Sequence, residues 1–104
     1  MNEFEERMRI AFQEITTLQG QFIVFAGNNI STKDKNEIDH SLRMLQASIQ
    51  QDIINGKPPL AKNMREVNAN IISEIIARLA KYDTAESRTF SKRLLAVLDK
   101  AKMY

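Results

Sequence analysis

The sequence predicts an all-α protein, an antiparallel up-down-up-down four-helix bundle, and three observations lead to that prediction. Apolar residues recur every three or four positions along most of the chain, which is the helical period. Glycine and proline cluster at positions 55–59, where they end one helix before another begins. The periodic segments have similar lengths and short connections, which favours antiparallel neighbours in a single domain over residues 1–104. The expected helices are 3–26, 33–55, 59–82 and 84–102.

The first predicted helix carries an apolar seam whose spacings alternate between four and three residues. The seam consists of Phe4, Met8, Ala11, Ile15, Leu18, Phe22 and Phe25. The run 22–25 is apolar throughout and is also compatible with a short buried strand. We favour a helix there because Phe22 and Phe25 continue the seam. Gly20 costs such a helix about 1 kcal/mol relative to alanine, and residues 27–29 supply its stop.

The second and third predicted helices are separated by the central break. Ser31 or Thr32 is the expected N-cap of the second helix, and Asp34 then lies where the helix dipole favours an acid. Asn55-Gly56 ends this helix, and Pro58-Pro59 begin the third, where missing amide donors do no harm. The apolar face of the second helix is Ile38, Leu42, Leu45, Ile49 and Ile53. That of the third is Leu60, Met64, Val67, Ile71, Ile75 and Leu79, broadened by Ile72 and Ile76.

The fourth predicted helix begins near Asp83 and Glu86, whose spacing is that of a capping box. Its apolar face is Phe90, Leu94, Val97, Leu98 and Ala101. Other apolar residues lie off the seams of the four helices: Val24, Ile54, Ile72, Ile76 and Leu95. We favour a thick core as their explanation. A partner groove, or self-association through the third helix, is the alternative.

Composition excludes several protein classes. Of 104 residues, 43% are hydrophobic and 27% are charged, as in ordinary globular domains. No apolar run approaches the length of about 18 residues that crosses a bilayer, and the acidic residues 1–6 have the wrong charge for a secretory signal. The chain has no cysteine, hence no disulfide and no thiolate metal site. We therefore expect a cytoplasmic protein, with a peripheral position at the inner membrane face as an option.

No residue pattern predicts catalysis, cofactor binding or metal binding. Glu37 and His40 have the Glu-x-x-His spacing of di-iron bundles, but His40 is the only histidine and two such motifs are needed. We expect a solvated histidine beside Asp39. The three glycines, at 20, 27 and 56, are isolated and form no phosphate-binding loop. The expectation is a non-enzymatic protein without catalytic, cofactor-binding or metal-binding residues.

Positive charge accumulates toward the C-terminal end. The net charge is −2 over residues 1–30 and +3 over residues 81–104. The candidate partner-binding residues are Lys81, Arg88, Lys92, Arg93, Lys100, Lys102 and Tyr104. A solvated surface is the simplest interpretation, and an anionic membrane surface or an acidic partner is the other. No aromatic residues alternate with the basic ones, which disfavours nucleic acid as a partner.

Three stretches of the chain carry a family resemblance. They are the opening residues 1–7, the entry to the second helix at 29–31, and most clearly residues 45–60 with the run Ile54-Asn55-Gly56-Lys57-Pro58. In them the chain resembles the immunity proteins that protect lactic-acid bacteria and streptococci against their own pediocin-like bacteriocins. Many members carry a flexible tail after the fourth helix, which we do not expect here because Tyr104 follows soon after Ala101.

The resemblance implies a cytoplasmic four-helix bundle whose C-terminal half carries recognition. It implies action inside the cell, at the sugar-transport permease that the bacteriocin uses as its receptor. The expected function is therefore bacteriocin immunity through contact with the membrane permease, or receptor–bacteriocin complex. One alternative is a phage- or plasmid-type helical regulator that binds nucleic acid through the fourth helix. The other is a small adaptor or oligomerisation subunit that uses the wide apolar face of the third helix.

Overall fold

A computed structural model describes residues 3–27, 29–56, 62–82 and 84–101, and this part of the chain contains four α-helices and no strand. They are α1 (Glu3–Ala26), α2 (Thr32–Asn55), α3 (Lys62–Ala80) and α4 (Ala85–Ala101). The all-α prediction is confirmed, and so is the helical interpretation of the run 22–25. None of these described helices combines the length and the hydropathy required to cross a bilayer.

The connection between α1 and α2 is closed by hydrogen bonds at both helix ends. Gly27 has a positive φ of 36°, and its carbonyl oxygen accepts a hydrogen bond from Lys35 Nζ at 2.7 Å. The hydroxyl oxygen of Ser31 accepts the backbone N–H of Asp34 at 3.2 Å. Ser31 is therefore the N-cap of α2, which confirms the first of the two predicted candidates.

The central break ends α2 as predicted. Gly56 has the left-handed backbone conformation, with φ of 68°, and its N–H donates to the carbonyl oxygens of Asp52 at 2.9 Å and Ile53 at 3.2 Å. Glycine adopts this conformation without the steric cost that a β-carbon imposes. The predicted helix start at Pro58-Pro59 lies outside the described residues, as does Leu60, and α3 is described from Lys62 onward.

The turn between α3 and α4 differs slightly from the prediction. The third helix ends at Ala80 rather than residue 82, and the Tyr82 N–H donates to the Leu79 carbonyl oxygen at 3.0 Å. The Thr84 hydroxyl accepts the backbone N–H of Ser87 at 3.1 Å, so Thr84 is the N-cap of α4. The predicted cap at Asp83 is one residue too early, because the Thr84 hydroxyl directly precedes the helix; Asp83 itself lies outside the described residues.

The core lies between the four helices, with α1 and α3 each packed against both α2 and α4. Its largest fully buried side chains are Met8, Ile15, Leu18, Phe22, Ile38, Leu42, Leu45, Ile49, Ile75, Leu79, Leu94 and Leu98. All twelve belong to the predicted seams. Each contributes about 1.5–3 kcal/mol through the removal of apolar surface from water.

The thick-core interpretation holds for only some of the off-seam residues. Ile72 is buried and Ile76 packs against the core, so the wide apolar face of α3 is largely internal. By contrast, Val24 is 81% exposed, and Ile54 and Leu95 are also exposed. The prediction is wrong for these three residues. Val24 and Ile54 lie in the last turns of their helices, on the faces that point away from the core. The inner faces of these turns remain covered, since Ala26 and Asp52 are buried.

One predicted seam residue of α3 is also exposed. Val67 is 43% exposed, whereas the adjacent Asn68 is 1% exposed. The buried stripe of α3 therefore passes through Asn68, Ile72 and Ile75 in this region. Helical spacing is compatible with both residues, because Val67 lies four residues before Ile71 and Asn68 lies seven before Ile75; the structure buries Asn68.

Candidate partner-binding surface

Among the predicted basic residues, Lys81 and Arg93 contact side chains of other structural elements. Lys81, in the turn after α3, places its Nζ 3.5 Å from Asp34 Oδ1 at the start of α2. Arg93 of α4 donates a hydrogen bond from Nη1 to the side-chain oxygen of Gln21 on α1. Both cations therefore take part in contacts between structural elements.

The remaining predicted residues divide between the exposed face of α4 and the part of the chain not described. Arg88 and Lys92 are exposed and lie one turn apart on α4, so they share a face of that helix. Lys100 is within α4, but its side chain lies outside the described part, as do Lys102 and Tyr104 entirely. Arg88 and Lys92 are thus the predicted cations that the structure places together on one surface.

A cluster of polar side chains, hereafter the Asp34 cluster, joins the start of α2 to the end of α3. It consists of Ser31, Asp34, Arg78, Lys81 and Tyr82. The buried Asp34 carboxylate accepts hydrogen bonds from the Tyr82 hydroxyl at 2.5 Å and from Arg78 Nη1 at 3.2 Å. The same Tyr82 oxygen accepts the Ser31 backbone N–H at 3.1 Å. These contacts connect segments that are more than 40 residues apart in sequence.

The hydrogen bonds of this cluster favour the ionised form of Asp34. The Tyr82 hydroxyl has the largest effect and lowers the pKa of Asp34 to about 2, against the opposing effect of burial. Ser31, Lys81 and Arg78 act in the same direction as Tyr82. The sequence analysis assigned Asp34 only a role at the helix N-terminus. The missing partners could not be found from local sequence because α3 supplies them.

A second polar network lies between α1 and α2. Gln19 donates from Nε2 to Asp39 Oδ1 at 2.9 Å, and Gln46 donates from Nε2 to Gln19 Oε1 at 2.7 Å. The hydrogen bond from Gln19 is the main reason that the pKa of Asp39 lies below its ordinary value, with Arg43 contributing in the same direction. His40 is exposed beside Asp39, as predicted. This network fixes the position of α1 relative to α2.

A groove follows the junction of α1 and α4 on the outside of the bundle. Its first part has a volume of about 410 Å³ and is lined by Glu3, Glu6, Arg7, Ile10, Ala11, Glu14 and Val97. Its second part, of about 270 Å³, shares Glu14 and Val97 with the first and adds Thr17, Leu18, Arg93 and Ala96. We refer to the two parts together as the α1/α4 groove.

The α1/α4 groove combines an apolar floor with a charged rim. Ala11 and Ala96 leave space between the two helices because their side chains are small, and Ile10 is 48% exposed beside them. The rim carries three glutamates of α1. Ile10 lies off the α1 seam, so the apolar pattern of the sequence does not indicate this groove. The spacing Glu6, Ile10, Glu14, which places an isoleucine between two acids on one helix face, is the signal that the sequence does contain.

The described residues contain no group of three or more His, Cys, Asp or Glu side chains that could hold a metal ion. Comparison with known proteins gives no match, whether with protein-family models, with curated proteins or with solved structures. Function is therefore argued from the fold, from the exposed surfaces and from the sequence resemblance.

Proposed function

We propose that this protein is an immunity protein of the pediocin-like bacteriocin type. It protects the producing cell through protein contact with the membrane permease, or receptor–bacteriocin complex, from the cytoplasmic side. The observation that carries the proposal is a set of four helices, of 24, 24, 19 and 17 residues, in which α1 also packs against α4 and closes the arrangement. This is the architecture that the resemblance in residues 45–60 implies.

Contacts near the helix ends support an up-down-up-down antiparallel order of the helices. Ile53, late in α2, lines a depression with Phe12, early in α1. Val97, late in α4, lines the α1/α4 groove with Glu3 at the start of α1. The Asp34 cluster joins the beginning of α2 to the end of α3. Each of these pairs brings opposite ends of two helices together, as antiparallel packing requires.

The contact surface in this proposal is the exposed basic face of α4. Arg88 and Lys92 supply two cations one turn apart, which suit an acidic partner surface or the anionic headgroups of the inner leaflet. Lys81 contacts Asp34 and Arg93 contacts Gln21, so the proposal gives these two cations a smaller part in the contact surface. Lys100, Lys102 and Tyr104 are further candidates in the proposal, and their side chains lie outside the described part of the chain.

Expression of the gene in a bacteriocin-sensitive strain tests the proposed function. Cells that produce the protein should survive at least one member of a panel of pediocin-like peptides that kills the parent strain. Immunoblotting and the far-UV circular dichroism of the purified protein establish that it is present and folded. Unchanged killing across the whole panel would contradict the function.

A matched pair of charge reversals tests the surface separately. Arg88→Glu with Lys92→Glu should abolish protection. Arg9→Glu with Lys33→Glu changes net charge by the same amount at exposed positions of α1 and α2 and should leave protection intact. If both double variants protect equally well, the function stands, but the α4 face is not the contact surface.

A further inference from the structure

We propose that the α1/α4 groove binds a cationic amphipathic helix of a partner protein. The inference comes from the shape and charge of the groove and does not depend on the proposed immunity function. It concerns a different surface from the basic face of α4, because the groove is edged by glutamates of α1.

The dimensions of the groove fit a short helix. Its two parts follow α1 from Glu3 to Leu18, a length of about 22 Å at 1.5 Å per residue. A partner helix of about 15 residues covers that length. Grooves with an apolar floor commonly bind such helices, whose apolar residues at positions i, i+3 or i+4 and i+7 enter the groove.

The charges that line the groove favour a partner helix of positive charge. Ile10 has Glu6 four residues before it and Glu14 four residues after it, so all three share one face of α1. A helix with lysine or arginine one turn on either side of an apolar residue matches this arrangement. Neither glutamate forms an ion pair with another residue in the part of the chain that the structure describes.

The two arginines that line the groove interact with the protein itself. Arg7 places its guanidinium 5.6 Å from the centre of the Phe4 ring. Arg93 donates to Gln21 beyond the end of the groove. These contacts hold the two arginines in place without neutralising them, and the three glutamates of the lining still leave the groove with a net negative charge. Their repulsion of anionic headgroups disfavours a lipid surface at this site.

A fluorescent model peptide tests this proposal directly. The probe is an amphipathic helix of about 15 residues made of leucine and lysine, and its matched control replaces each lysine with glutamate. Fluorescence anisotropy should show binding of the lysine peptide to the wild-type protein and no binding of the glutamate peptide. Binding should weaken as salt rises from about 0.1 M to about 1 M, which shortens the Debye length from about 10 Å to about 3 Å.

Substitutions within the groove provide the specific readout. Ile10→Ser with Glu14→Lys should raise the dissociation constant of the lysine peptide at least about tenfold. Glu14→Gln alone should have a smaller effect in the same direction. The control is Val67→Ser with Glu66→Lys on α3, where Val67 is 43% exposed against 48% for Ile10. This control should bind like the wild type.

Three results would overturn the proposal. The lysine peptide does not bind the wild-type protein, or both double variants bind it as the wild type does, or both lose binding equally. Analytical sedimentation of the protein alone tests whether a second copy of the chain occupies the groove. A dimer that dissociates on Ile10→Ser would show that a second copy of the chain fills the groove, in place of the cationic helix. Because Ile10 is exposed, the variant is expected to fold, and thermal unfolding checks this.

Discussion

Asp34 and Asp52 are both buried on α2, with exposures of 5% and 6%, yet their environments differ completely. They lie about 27 Å apart along the helix. The Asp34 carboxylate accepts hydrogen bonds from Tyr82 and Arg78. The Oδ2 atom of Asp52 has no hydrogen-bond partner in the described part of the chain. Two carboxyl groups of one helix are thus equally buried, but hydrogen bonds offset the cost of burial for Asp34 and do so only incompletely for Asp52.

The consequence is that the pKa values of the two carboxyl groups are shifted in opposite directions. The Tyr82 hydroxyl lowers the pKa of Asp34 to about 2, whereas burial raises the pKa of Asp52 above its ordinary value. Burial disfavours the charged form, and hydrogen bonds to the carboxylate favour it. The hydrogen-bonded carboxylate of Asp34 therefore stabilises its end of the bundle, whereas the incompletely hydrogen-bonded carboxyl group of Asp52 destabilises the other end.

The residues around the two aspartates differ as well. At the Asp34 end, Phe22, Phe25 and Phe90 pack together with ring centroids 5.3–5.6 Å apart. At the other end, the buried Nε of Arg7 lacks a hydrogen-bond partner among the described residues. Polar groups that are buried without partners cost about 1–3 kcal/mol. Ser87 Oγ, at the Asp34 end, also lacks a partner among the described residues. We expect the Asp34 end to be the more stable one because of its aromatic cluster and its hydrogen-bonded carboxylate.

The largest effect should come from breaking the aromatic cluster at the Asp34 end. Phe22→Ala should lower the free energy of unfolding by about 3–5 kcal/mol, because it removes a fully buried ring and leaves a cavity. Urea unfolding followed by circular dichroism measures this. Ile54→Ala, an apolar truncation at an exposed site of the other end, should change stability by less than about 0.5 kcal/mol. Equal losses for both variants would contradict the comparison.

The next effect concerns the hydroxyl that contacts Asp34. Tyr82→Phe should cost about 1–2 kcal/mol of unfolding free energy, since it removes a hydrogen bond to a buried carboxylate. The same substitution in an Asp34→Asn background should cost much less, because the charged acceptor is already gone. Additive losses in this double-mutant cycle would show that the two side chains do not stabilise each other.

At the other end of α2, we expect a substitution to stabilise the protein. Asp52→Leu should stabilise the protein by about 1 kcal/mol at neutral pH, because it removes a buried carboxyl group that is not fully hydrogen-bonded. Asp52→Asn separates the effect of charge from that of hydrophobicity. Thermal unfolding of both variants measures the change. A clear loss of stability in both would mean that the Asp52 carboxylate has a stabilising partner.

The pH dependence of stability should distinguish the two groups by its direction. The pKa of Asp34 is lowered by folding, so its stabilisation is present above the ordinary value of 3.8 and is lost as pH falls through about 2. The pKa of Asp52 is raised, so its contribution is complete below 3.8 and is lost as pH rises through its folded-state pKa.

Unfolding measured between about pH 2 and pH 7 tests these directions. Relative to wild type, Asp34→Asn should lose least stability at the acidic end of this range. The stabilising effect of Asp52→Asn should grow as pH rises above 3.8. Parallel pH profiles for wild type and both variants would contradict the assignment of these groups.

Much of the fold could be predicted because its signals are local. The seams of α1 and α2, the Ser31 cap and the stop at Gly56 each depend on residues within a few turns of one another. Asp52 was also detectable, since the spacing Ile38, Leu42, Leu45, Ile49 continues to it. The predicted Ile53, four residues after Ile49, also fits the helical spacing and packs against the core.

The Asp34 cluster and the α1/α4 groove could not be predicted in the same way. Tyr82 and Asp34 are 48 positions apart and meet only because α2 packs against α3. The groove depends on which flank of α1 lies beside α4, and the helical period of one segment does not determine its neighbours. The helices could therefore be predicted from the sequence, whereas the contacts between them could be identified only in the structure.

Titration of the side-chain carboxyl carbons by nuclear magnetic resonance tests the central difference between the two ends of the bundle most directly. In the folded wild-type protein, Asp34 should remain ionised until pH falls to about 2. Asp52 should take up its proton above the ordinary value of 3.8. Asp34→Asn and Asp52→Asn assign the two resonances. A pKa near 3.8 for both groups, or a lower pKa for Asp52 than for Asp34, would contradict the claim that Asp34 stabilises one end of the bundle and Asp52 destabilises the other.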